Sequence, residues 1–281
     1  MKHSLTIEHP FSVLQRARGV GELRTKERAG ATRIDTLFQE GCANIRLPNT
    51  HGPHLEAVLI NTAGGLTGGD QMAWTAQVAP EGKLLLTTQA CERIYRSIGG
   101  AAQVQTRLEV GVGAHLDWIP QETILFEHSA LQRRIDIDLA PGATLTAVEA
   151  VLLGRDAMGE TAAHATLNDQ WRVRREGRLI HAEANRLSAE ALPREGLSLL
   201  AGNRAFATIL YVATSADAAE AQLVRIRPSL ADLGGTIAAS VVGERLVIRA
   251  LAPGGLALRR QIVPLLARLS GTGTVPRLWH L

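Results

Sequence analysis

The chain has little of what most enzymes and nucleic-acid binders carry. Among 281 residues there are only 2 cysteines, Cys42 and Cys91, and aromatic residues make up 4%. Two cysteines give neither a disulfide framework nor a C-x-x-C redox or zinc site. So few aromatics leave no stacking platform for bases or sugars. Charge of one sign is also missing, with 30 Lys+Arg against 27 Asp+Glu. The small excess is dispersed, and a cluster such as Arg172, Arg174 and Arg175 reads as a solvated face, not a nucleic-acid footprint. The apolar stretch 199–212 is interrupted by Asn203 and Arg204 and is too polar to span a bilayer. The opening residues lack the charged-then-apolar order of a secretory leader. A cytoplasmic, reduced setting without nucleic acid or membrane is therefore expected.

Catalytic signatures are missing as well. There is no G-x-S-x-G elbow, H-E-x-x-H helix, EF-hand loop or Cys/His quartet. One loop invites comparison with a phosphate cradle: Gly64-Gly65 and Gly68-Gly69, closed by Asp70. Phosphate loops open onto a helix N-terminus, whose free N–H groups hold the anion. Here Met72, Trp74, Ala76 and Val78 alternate with polar or small residues, which is strand periodicity. The loop joins strand to strand.

Strand signals dominate up to residue 214. The expected strands cover 37–47, 55–60, 71–78, 83–89, 102–110, 114–119, 131–139, 144–153, 163–173 and 179–184, with Gly- and Pro-containing turns between them. Turn glycines recur at Gly82, Gly113, Gly142 and Gly177, separated by 31, 29 and 35 residues. A period near thirty in a strand-rich, mainly β chain suggests stacked coils or layered sheets in which each unit buries its face on the next, against the plainer reading that G-x-x-L after a turn is simply how a strand starts. In register, Gln89, Gln121, Glu149 and Glu183 would form a polar ladder at the ~4.8 Å strand spacing. Leu85, Leu116, Leu145 and Leu179 would form an apolar ladder beside it. After 214 the pattern changes. Ser215 caps a helix running to Leu230, with Ala221, Val224 and Leu230 on its apolar side and Pro228 ending or kinking it. A strand pair follows, then a helix over 256–269 with Leu256, Ile262, Val263, Leu266 and Leu269 on one face. The expected organisation is one domain over 1–281: a basic N-terminal arm (1–34), whose first thirty residues read as an irregular arm or a strand pair, a β scaffold (35–214) and an α/β part (215–281).

Isolated candidates for metal chemistry are few. His51 and His54 flank Gly-Pro and belong to a loop, while His115, His164 and His181 fall in strand patterns as hydrogen-bonded structural histidines. Cys91-Glu92 offers a thiolate–carboxylate pair, against the plainer reading of a buried thiol. The second Gly-bracketed loop, 153–160, is expected to be ordered by pairing of Arg155 with Glu160 or Asp156.

Several of these stretches together resemble one family. NTAGGLTGGD (61–70), TTQACERIYRS (87–97), WIPQE (118–122) and LLGRDAMGE (152–160), in this order and with PRLW at 276–279, look like the urease accessory proteins of the UreD (UreH) type. The motif residues are Gly64, Gly65, Gly68, Gly69, Tyr95, Arg96, Gln121, Gly154, Arg155, Gly159 and Glu160; Cys91 is not carried over. The resemblance implies a non-enzymatic metallochaperone with a β-solenoid scaffold and a few C-terminal helices. Its implied partners are a UreF-type accessory protein, through it a UreG-type GTPase, and urease apoprotein. Its implied cargo is transient Ni²⁺, with no tightly bound cofactor, and by motif position Asp70, Glu149 and Glu183 inherit a nickel path. Ligand chemistry agrees: oxygen donors release Ni²⁺ more readily than imidazole or thiolate, as a conduit requires. The alternative is a β-helical glycan hydrolase or lyase using Asp70 with Glu92, which aromatic poverty disfavours.

Overall fold

The computed structural model describes residues 15–49, 52–188, 196, 199–233 and 236–280; His51 lies outside them. The hairpin β1 (Arg18–Arg28) and β2 (Ala31–Gly41) is followed by β3 (Ala43–Arg46) and β4 (Leu55–Asn61). The predicted strand 37–47 is thus two strands, broken where Gly41 takes φ +63° and the chain changes sheets. The expected N-terminal arm is, from Arg18 on, a strand of the scaffold: β1 runs parallel to β5 (Gln71–Val78).

The period near thirty is real and builds coils. One parallel ladder contains β5, β8 (Ala102–Val110), β11 (Ala130–Leu139) and β13 (Thr166–Arg175). A second contains β4, β6 (Lys83–Thr88), β9 (His115–Trp118) and β12 (Thr144–Leu153). Short strands β7 (Glu92–Ile94) and β10 (Thr123–Leu125) pair on a third side. The first sheet ends at β14 (Arg178–Leu187), antiparallel to β13. The second is extended by β15 (Ala205–Val212), then β17 (Arg245–Ala252) and β16 (Thr236–Val242). The fold is mainly β and solenoid-like. The two α-helices among the described residues, α1 (Ala216–Asp232) and α2 (Gly255–Leu269), both follow residue 215.

Alternation along each strand divides the apolar residues between two cores. Met72, Trp74, Ala76 and Val78 of β5 point between the sheets, as do Leu84 and Leu86 of β6. Leu85, one residue on, points the opposite way, toward the helices. The observed apolar ladder is therefore Leu55–Leu84–Leu116–Leu145, not one through Leu85. Leu179 stands half exposed on β14, in the other sheet. The turn at Gly82 is one residue shorter in its run to the leucine than those at Gly113 and Gly142. A one-residue slip exchanges the two faces.

The helices cover the outer face of the second sheet. Ser215 caps α1 by accepting from Ala218 N, and the helix continues through Pro228. Its buried stripe is Ala219, Leu223 and Ile226, while Val224 is 65% exposed, so the predicted stripe is rotated. In α2 the buried apolar residues are Leu258, Ile262, Leu265, Leu266 and Leu269, whereas the predicted Leu256 is exposed. This helix is core.

Candidate functional site

The paired-glycine loop is a hook. Leu66 N donates to Arg93 O at 2.8 Å, Tyr95 N to Leu66 O at 2.7 Å and Gly69 N to Ala101 O at 3.1 Å. With its N–H groups committed in this way, the loop is no anion cradle. A Cβ at Gly65 (φ +148°) would lie 2.3 Å from the Tyr95 ring, and one at Gly68 would lie 2.0 Å from Ser97 Oγ. Only glycine lets the loop sit this close. Asp70 locks it: Oδ1 accepts from Ala17 N at 2.8 Å and Oδ2 from Thr67 N at 2.7 Å.

The second glycine loop packs onto the first. Arg155 pairs with Glu160 at 2.7 and 3.2 Å, and its guanidinium lies 4.5 Å from the centroid of Phe126. Phe126 in turn meets Tyr95 edge to face at 5.1 Å. Arg96, between them in sequence, contributes its carbonyl, which accepts from Thr67 Oγ1. Gly154 takes φ +76°, and the bracket closes at Gly159, φ +65°. Motifs sixty to ninety residues apart thus form one knot at the third side of the solenoid.

A file of polar side chains runs between the two sheets. Glu92 and Gln121, with Thr88, Thr123, Arg133 and Glu149, line a cavity of about 60 Å³, room for a few waters. Arg133 holds Asp169 at 3.0 and 2.9 Å, reaches Thr123 at 3.1 Å and also pairs with Glu149. Next to Glu149 in register stands Thr208, and next to Thr208 stands Arg249. Arg249 crosses to the first sheet and grips Glu183 at 2.7 and 2.8 Å. There the file reaches a groove of about 660 Å³ lined by Asn185, Thr208, Ile237 and Arg249.

Burial sets the protonation of this file. It pushes the Glu92 carboxyl up to about 7, against the hydrogen bond from Asn61. Burial also pushes Glu149 up to about 7; Arg133 opposes it and Asp169 adds to it. Near neutrality both carboxyls therefore exchange protons.

The predicted residues separate accordingly. Gln121, Glu149 and Glu183 lie along the file, although on three non-adjacent strands or corners and not in one ladder. Gln89 is exposed and offers its carbonyl to Gln121. Asp70 belongs to the loop hook, with both oxygens on backbone N–H groups. Cys91 turns away from Glu92, toward Glu122 (3.3 Å) and Arg259, and burial with Glu122 raises its thiol to about 11. It is no thiolate at neutral pH.

The chain matches the model of the family described as UreD urease accessory protein over residues 17–280. A urease accessory protein UreD from Chelativorans sp. (strain BNC1) is 57% identical over 270 residues, covering 95% of each chain. Those of Rhizobium etli (50%, covering 95% of this chain and 96% of the relative) and Agrobacterium fabrum (46%, 95% and 92%) are similar over the same extent. The chain belongs to the UreD family. Its role lies in urease maturation. No described helix is long and apolar enough to cross a membrane.

Within this UreD-family fold, sequence reasoning missed Glu92, Arg133, Asp169 and Arg249 as members of the file. Arg133 and Asp169 sit at inward positions of otherwise apolar alternation, next to one another in register. A charge at an inward position of an alternating strand was the available signal. The corner at 119–122 is fastened from outside the solenoid. Arg259 of α2 binds Glu122 at 2.7 and 2.8 Å and Gln121 at 2.8 Å, and Trp279 Nε1 donates to Ile119 O at 3.0 Å. His115 is a structural histidine, bonded to Thr144 at 2.7 Å and Asp117 at 2.8 Å.

Proposed function

We propose that this chain bridges urease apoprotein to a UreF-type accessory protein and, through it, to a UreG-type GTPase in the cytoplasm, and conveys Ni²⁺ into the nascent urease active site. It does so as a non-enzymatic chaperone that holds nickel only in transit. The observation that carries the reading is the polar file from Glu92 and Gln121 through Glu149, Asp169 and Thr208 to Glu183. Its side chains are carboxylate, amide and hydroxyl, which hold Ni²⁺ less firmly than imidazole or thiolate. Arg133 and Arg249 neutralise part of the negative charge, so an incoming dication exchanges with a guanidinium and does not fall into a deep well. Glu92 and Glu149 can be neutral without an ion and ionised beside one. Asp70 is assigned to holding the loops and not to the path.

The glycan-hydrolase alternative finds no support. Asp70 has both oxygens on backbone groups, and a cavity of about 60 Å³ beside Glu92 is far below the several hundred Å³ of small-molecule sites.

The test is the nickel content of urease matured with Glu92→Gln plus Glu149→Gln. The expected result is a clear loss of bound nickel while the accessory complex still co-purifies with urease. Full nickel content with the double variant would overturn the conduit.

A further inference from the structure

Outside this file, the solenoid brings together three ligand-type side chains that the proposed path does not use. Glu127 and His128 lie in the turn between β10 and β11, and His164 lies in the turn before β13. Their ligand atoms are all within 4.8 Å of one another. We propose that Glu127, His128 and His164 form a surface site for a first-row divalent transition metal.

The juxtaposition follows from the fold. Ala130 and Thr166 are partners in the parallel ladder, and His128 and His164 each lie two residues before them. Successive coils therefore carry an imidazole at the same position. The two rings stack with centroids 4.8 Å apart and planes 16° from parallel, which is the ~4.8 Å strand spacing expressed in side chains. The two turns are stitched together by Thr166 N to Ser129 O at 2.8 Å.

The ligand set is preorganised. Glu127 accepts from His164 N at 3.1 Å and is also bonded to His164 Nδ1. Glu127 Oε1 lies 3.9 Å from His128 Nε2. The backbone of Glu127 is held from behind, its N donating to Glu160 Oε1 at 3.0 Å, and Glu160 is already neutralised by Arg155. His128 sits at φ +58°, in the left-handed region that histidine, like asparagine and aspartate, enters more often than other non-glycine residues. Ligands about 2.1 Å from one ion, at tetrahedral or right angles, lie about 3.0–3.4 Å apart. Closure on an ion needs side-chain shifts of only about an ångström.

Two imidazoles and one carboxylate suit nickel, zinc or copper and not magnesium or calcium, which prefer all-oxygen shells. Nitrogen donors also distinguish this site from the oxygen-rich interior: it captures, where the file passes on. The assignment rests on the urease-maturation reading only for which metal reaches the site in the cell.

The experiment is a titration of the full-length protein with Ni²⁺ and with Zn²⁺ in a millimolar Mg²⁺ background, with X-ray absorption at the nickel edge. Wild type is expected to bind one ion with two imidazole nitrogens in its shell, undisturbed by Mg²⁺. His128→Asn keeps a residue at ease with the left-handed backbone, and His164→Gln removes the second ring. Each is expected to weaken Ni²⁺ binding at least about tenfold and remove one imidazole from the spectrum. Unchanged affinity in His128→Asn, a shell without imidazole, or equal competition by Mg²⁺ would overturn the site. Those readouts come from the isolated protein, so they separate from the urease nickel content that tests the conduit.

Discussion

Trp118 Nε1 donates to Glu149 Oε1 at 2.9 Å, at the place where β9 stops and the chain turns away from β12. That bond satisfies an indole that is 4% exposed and a carboxylate that is 5% exposed. It ties the WIPQE corner to the interior file, so the two sequence features are one structural unit.

Replacing Trp118 by Phe removes this donor while keeping most of the ring. Stability is expected to fall by about 1–3 kcal/mol, as for a buried charged acceptor losing one partner. Urea denaturation at pH 8, where Glu149 is ionised, should show a larger loss than at pH 5. Equal losses at both values would mean that packing, not the hydrogen bond, matters there.

Arg133 stands between two buried carboxylates. Arg133→Met leaves Asp169 and Glu149 without their cation, and a loss of roughly 3–5 kcal/mol is expected. Adding Glu149→Gln and Asp169→Asn to the same chain should restore most of it. A triple variant as unstable as the single one would show that the arginine acts through its packing.

Glu92 makes stability depend on pH in a definite direction. Its carboxyl holds a proton up to about pH 7 in the folded protein, against an ordinary value of 4.5. The native state therefore binds more protons than the unfolded chain between those values. Stability falls as pH rises through that window and stays lower above it, by up to about 3 kcal/mol from this group. Glu92→Gln should flatten the decline in Tm between pH 5 and 8 without abolishing it, because Glu149 contributes a decline of the same sign. Identical slopes for variant and wild type would contradict the assignment.

Asp70→Ala frees the N–H groups of Ala17 and Thr67. The expected result is a loss of roughly 2 kcal/mol and faster amide exchange at those two residues, with the C-terminal helices unaffected. Exchange that stays slow at both amides would show that the loop does not need its clamp.

Much of this was written in the chain. Alternation of inward and outward residues dictated strands such as 71–78, 102–110 and 131–139, because each must bury one face. Turn glycines near every thirtieth residue determined the coil, and the linked motifs determined the family. Tertiary structure decided the register: Leu84, and not Leu85, meets Leu116 because the hydrogen-bonded ladder, not the count from the glycine, sets which residues are opposite. It also decided which charges meet across the interior. Arg133 with Glu149, and Arg249 with Glu183, join residues 16 and 66 positions apart that stand on different sheets and meet only because the two sheets close over them. A local pattern can say that a side chain points inward, but its partner across the gap depends on how the two sheets are laid together.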